Sequence, residues 1–124
     1  MIFIVLVYNK TIFESQTLKS LNYQKNNIPY SSKIIVFNNG TKVFMEEDEN
    51  IFCNDLSNYV EVTIIDGGKN ESSAIIHNTI ISDYYADKYI IFDDDTNVNE
   101  DFLINSKLSY DIVMPWIRSH GNYI

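Results

Sequence analysis

The sequence predicts an α/β protein: a Rossmann-like, mostly parallel sheet with helices on both faces. Three observations carry that expectation. Residues Ile2–Val7 (IFIVLV), Lys33–Phe37 (KIIVF) and Tyr89–Phe92 (YIIF) are short, dominantly apolar runs with no alternation. Strands buried on both faces read this way, and such strands belong to parallel sheets. Stretches with helical spacing lie between the runs, as parallel crossovers require. Each run also ends in polar turn residues, so the loops after the strands converge on one edge of the sheet.

The first run ends in Tyr8-Asn9-Lys10. Thr11 and Glu14 then fit a capping box, in which hydroxyl and carboxylate each bond the other residue's amide. A helix is expected from about Ile12 to Gln24, with Leu18 and Leu21 inward. Pro29 closes the connection to the second strand. That strand ends in Asn38-Asn39-Gly40-Thr41, a strong turn signal. The acidic run Glu46–Glu49 reads as a solvated loop or helix face. Val60–Ile65 (VEVTII) alternates in part, which places the third strand nearer a sheet edge.

Asp66-Gly67-Gly68 turns the chain into a helix expected over 72–85. Ile76, Ile80 and Tyr84 form its inner stripe and Asn70 is a candidate cap. His77, beside that stripe, reads first as a rim residue. The fourth strand, Tyr89–Phe92, runs straight into Asp93, Asp94 and Asp95. A short helix or turn is expected over 99–108, and Asp111–Pro115 reads as a fifth short strand.

Composition bounds the partners. The chain has 124 residues, 45% hydrophobic and 14% aromatic, which fits one globular domain over 1–124. Its 17 acids against 9 bases give a net charge of −8. Nucleic acid is disfavoured, because phosphate backbones need a basic face. Cys53 is the single cysteine. That fits a reducing compartment, and its plain reading is a small buried hydrophobe. No apolar run is long enough to span a bilayer, so no transmembrane segment is expected and a cytoplasmic setting, or the cytoplasmic face of a membrane, is.

The strongest chemical signal is the aspartate triplet at a strand's carboxyl end. Three adjacent acids repel one another unless a cation screens them. Ligands of open α/β sheets bind beyond those strand ends. The triplet is therefore suited to a divalent cation and, through it, a diphosphate.

Taken in order, LVYNK, IIVFNNGT, NESSAIIHNTII and FDDDTNV resemble the donor-binding half of family-2 glycosyltransferases of the GT-A fold. The two Asn of the third segment, Asn70 and Asn78, stand eight apart as in that family's pattern, and FDDDTNV resembles its DXD motif. DIVMPWI resembles the strand that opens the acceptor half. The resemblance implies a glycosyltransferase of polysaccharide biosynthesis that uses a nucleotide-sugar donor, a UDP-sugar foremost, and a glycan or lipid-linked acceptor. It implies manganese or magnesium on Asp95, with Asp93 or Asp94 sharing the metal shell or meeting the ribose. It places Tyr8 and Asn9 at the base pocket. Asn38 stands where the family often has an Asp facing uracil, and His77 where many members have a cation near the nucleotide. Ser72 and Ile80 replace the family's glycines. The acid that serves as base in inverting members is expected beyond residue 124, so the catalytic residue is left unassigned. Two other readings compete. One is a non-catalytic module of the same fold that binds a partner through open surface around Trp116 and Tyr123. The other is a haloacid-dehalogenase-type phosphotransferase with Asp93 as nucleophile and Asp95 as general acid, for which only Lys107 and Asp111 are available downstream.

Overall fold

A computed structural model describes residues 1–67 and 69–105, and beyond them the strand pairs 112–113, 118–119 and 122–123. Strands β1 (Ile2–Val7), β2 (Lys33–Asn38), β3 (Glu61–Asp66) and β4 (Tyr89–Asp93) form an all-parallel sheet. A two-residue strand β5 (Ile112–Val113) pairs parallel with β4. The spatial order is β3-β2-β1-β4-β5. Helices α1 (Gln16–Tyr23), α2 (Glu46–Leu56) and α3 (Ser73–Asp83) make the crossovers, and α4 (Glu100–Asn105) follows β4. The expected α/β class is the observed one. The residues 118–119 and 122–123 pair antiparallel in a separate sheet.

Right-handed crossovers explain where the helices lie. The chain steps from β1 to β2 to β3 in one direction, which puts α1 and α2 on one face. It then returns past β2 and β1 to β4, which puts α3 on the other. The core is accordingly split by the sheet. Phe3, Val5 and Val7 of β1 pack with Leu18, Leu21, Phe52, Leu56 and Leu103. Ile2, Ile4 and Leu6 pack with Ile76 and Ile80. Because both faces of β1 are covered, its sequence has no polar alternation. Strand β3 is half-buried and has a single strand neighbour, β2, as its alternation predicted.

Several boundaries differ from expectation. The capping box at Thr11 and Glu14 is present, but it starts only a single 3-10 turn, Ile12–Glu14. Ser15 is extended and caps α1 anew through Leu18 N–H, so the expected helix is split in two. Helix α3 is capped by Ser72, not Asn70: its hydroxyl accepts from Ile75 N–H. The acids Glu46–Glu49 fill the first turn of α2, where the helix dipole favours negative charge. Cys53 is half-buried, not buried, and burial with nearby Glu49 pushes its thiol above the ordinary range. The expectations for Leu108 and for Asp111, Met114, Pro115 and Trp116 lie outside the described residues, as does the surface exposure of Tyr123. Among the described residues, no helix is long and apolar enough to cross a membrane.

Candidate functional site

Strand order reverses between β1 and β4, so their carboxyl ends flank the crevice where α/β sheets place ligands. The register sets Leu6 beside Asp93, Val7 beside Asn38, and Asn38 beside Asp66. A cleft of about 480 Å³ opens there, lined by Leu6, Tyr8, Asn39, Asn70, Glu71, Ser72, Ser73 and Asp93 to Asp95. That volume suits a small-molecule ligand.

The three aspartates have different environments. Asp94 is withdrawn into the protein, 8% exposed. One carboxylate oxygen accepts from Tyr8 N–H at 2.7 Å, and the other takes Lys10 Nζ at 2.6 Å. The hydrogen bond to Asp94, reinforced by the charges of Asp94, Asp95 and Glu14, holds the Lys10 ammonium above its usual pKa of 10.5. Lys10 therefore remains charged at neutral pH. The mutual repulsion expected of the triplet is relieved from within, by a lysine of the β1 loop.

Asp93 and Asp95 have exposed side chains on the cleft lip, with no hydrogen bond or ion pair to the described residues. No group of three or more His, Cys, Asp or Glu side chains among the described residues is placed to hold a metal ion. Two carboxylates are too few for a resident all-protein site. Two hard carboxylate oxygen donors suit magnesium or manganese only where a ligand supplies the remaining oxygens of the shell. Asp94 does not fit that shell, since both its oxygens are engaged.

Helix α1 fixes the aspartate loop through its main chain. Ser15 Oγ donates to Asp94 O at 3.0 Å, and Thr17 N–H donates to the same oxygen at 3.2 Å. Thr17 Oγ1 donates to Asp93 O and accepts from Thr96 N–H, bridging both ends of the triplet. Ser20 Oγ accepts from Val98 N–H, and Gln24 Nε2 donates to Val98 O. Ser15, Thr17 and Ser20 are buried. Sequence reasoning missed them and Lys10. The available signal was a polar stripe at 17, 20 and 24, helical spacing beside the apolar Leu18 and Leu21. Substituting Thr17→Val keeps the shape but orphans Thr96 N–H and Asp93 O. It is expected to cost about 1–3 kcal/mol. Amide exchange should accelerate at Thr96 while β1 amides lose no more than the global stability allows.

The remaining predicted residues separate into two groups. Tyr8 is half-exposed and lines the cleft. Asn70 does too. Asn78 is exposed on α3, away from the cleft lining. Asn9 adopts a left-handed backbone (φ 49°) and packs at Gly40, where an added Cβ would come within 2.5 Å of its side chain. Asn38 is fully buried, and its amide donates to Lys42 O at 2.7 Å. Its amide nitrogen stabilises its own turn, its Oδ1 has no partner among the described residues, and the neighbouring Asn39 reaches the cleft. Asn39 brackets Glu71 with a pair of hydrogen bonds, 2.7 Å from Glu71 N–H and 3.0 Å to Glu71 O, and so fixes the segment leading into α3. His77 is half-buried. Burial lowers its pKa from 6.5, against the opposing charge of Asp93. It is neutral at pH 7 and can supply a cation only in acid.

No family model, curated protein or solved structure matches the chain.

Proposed function

We propose that this cleft binds a nucleotide-diphosphate sugar, a UDP-sugar foremost, through a shared manganese or magnesium ion, and that the chain is the donor half of a GT-A-type glycosyltransferase. The observation that carries the reading is the division of labour in the triplet. Asp94 is consumed in positioning the loop, while Asp93 and Asp95 are left free on the lip beside Tyr8. A second feature agrees with it. Ser72 and Ser73, the cap and first residue of α3, line the opposite wall. A helix amino terminus favours a phosphate.

The residues then have distinct tasks. The Tyr8 ring offers a flat face for a base. Asn39 holds Glu71, and with it the wall that carries Asn70 and Ser72. Asp93 and Asp95 would hold the cation. When bound, it supplies positive charge to the diphosphate as the glycosidic bond breaks. Lys10 holds Asp94 away from that charge and ties the aspartate loop to the end of β1. The glycan or lipid-linked acceptor and the acid that activates it are assigned to no residue described above.

Titration calorimetry with UDP and UDP-glucose, with manganese and with a chelator, tests the reading. Binding is expected only with the metal. Asp95→Ala is expected to weaken it at least about tenfold, a loss of about 1.4 kcal/mol. Metal-independent binding, no binding, or an unchanged affinity in Asp95→Ala would each refute it.

A further inference from the structure

We infer that the opposite, amino-terminal edge of the sheet carries a second binding site, for a neutral saccharide. It does not depend on the function proposed for the carboxyl edge. The first residues of three neighbouring strands, Ile2, Lys33 and Glu61, stand in one register row. Above them opens a cleft of about 520 Å³, walled mostly by polar atoms and rimmed by Tyr30, Tyr59 and Tyr85. These tyrosines come from different connections, yet they converge on one opening. Tyr30 is 97% exposed and Tyr85 88%, so neither ring is used in the core. Tyr59 is steadied by Lys25, 5.5 Å above its ring.

The floor has two features that folding alone leaves unexplained. Ser31 holds a left-handed backbone, φ 62°, which serine disfavours. Ser32 is 5% exposed, and its hydroxyl has no partner among the described residues. A buried hydroxyl without a partner is costly. Ser32 lines the cleft, so an occupant that donates or accepts a hydrogen bond would give that hydroxyl the partner it lacks.

The chemistry selects the ligand. Lys33 and Glu61, the charged side chains of the lining, lie 3.8 Å apart and offset one another, which leaves the amino group of Met1 as the one uncompensated charge among the described residues of the lining; the glucose 6-phosphate arm of the test below reads whether it draws an anion. Aromatic rings present a negative face, which suits the polarised C–H groups of a sugar ring. Serine and asparagine groups suit its hydroxyls. A proline-rich peptide also docks on aromatic-lined grooves; the polar walls favour the sugar, and the peptide is an outcome of the test.

The test follows ¹H–¹⁵N amide and aromatic ¹H–¹³C shifts of the full chain while maltose, cellobiose, lactose and chitobiose are added in turn. At least one disaccharide is expected to move the rings of Tyr30, Tyr59 and Tyr85 and the amides of Ser31 to Lys33, leaving Tyr8 unmoved. Tyr85→Ala, on the surface, is expected to weaken binding about fivefold. Ser32→Ala removes no internal hydrogen bond. By relieving a buried, unpaired hydroxyl it should hold or slightly raise the melting temperature of the free protein, yet lower the affinity by about threefold or more. The proposal is overturned if none of the four sugars moves these signals. It is equally overturned if glucose 6-phosphate or a proline-rich peptide is preferred, or if both variants bind like the parent.

Discussion

Replacing Asp94 with alanine is expected to destabilise the fold by about 2–4 kcal/mol and to remove the nucleotide-sugar binding proposed for the carboxyl-edge cleft. Two charge-assisted hydrogen bonds disappear, to Tyr8 N–H and to Lys10 Nζ, each worth about 1.5–3 kcal/mol when well formed. The Lys10 end is discounted because that side chain is 35% exposed and regains water. The Tyr8 amide sits at the end of β1 and loses its acceptor. Asp94→Asn keeps an acceptor for Tyr8 N–H but gives up the charge, so it should fall between parent and alanine. Chemical denaturation gives the stability difference. If Asp94→Ala unfolds at the parent's midpoint, the clamp has no stabilising role. The pH dependence has a definite sign. Lys10 has a raised pKa in the folded state, so its stabilisation is complete below pH 10.5 and is lost as pH climbs through the folded value. Asp94→Ala should abolish that alkaline loss.

The clamp also marks where sequence reading stops. The apolar runs at β1, β2 and β4 were legible because burial on both faces leaves no room for polar alternation. The edge position of β3 was legible in its partial alternation. The arrival of Tyr8 and the aspartates at one edge followed from parallel topology alone. The sharing of roles among three identical side chains was not legible. It depends on Lys10, 84 residues from Asp94 in sequence, and nothing local to DDD encodes that pairing. The split of the first helix was hidden for a similar reason. Ser15 leaves the helix because its hydroxyl is needed both by Leu18 N–H and by Asp94 O. Asn38 reads from its position as a turn residue, and only the family resemblance places it toward a base; its Oδ1 has no partner among the described residues. Its amide nitrogen closes its own turn at Lys42, the local role that asparagine often takes.

Phe92→Ala is expected to have the larger effect on stability, a loss of about 3–5 kcal/mol. Phe92 is fully buried, with Phe3 stacked 6.0 Å away between centroids and Phe102 edge-on at 5.6 Å. Truncation removes the ring's transfer energy and leaves a cavity that β1 and α4 cannot both close. In urea, whose effect is about 1–3 kcal/mol per molar, the midpoint should fall by roughly 2 M. The consequence reaches the cleft because Phe92 is the residue before the aspartates. Its ring ties that strand end to β1 on one side and to α4 on the other. A cavity there lets the loop tilt while the α1 hydroxyls still hold its main chain. Phe92→Leu refills much of the space and should recover more than half of the loss. Should Phe92→Ala unfold within about 1 kcal/mol of the parent, the core on the α1 face does not support the aspartate loop. The positions of Asp93 and Asp95 would then rest on the α1 hydrogen bonds and the Lys10 clamp alone.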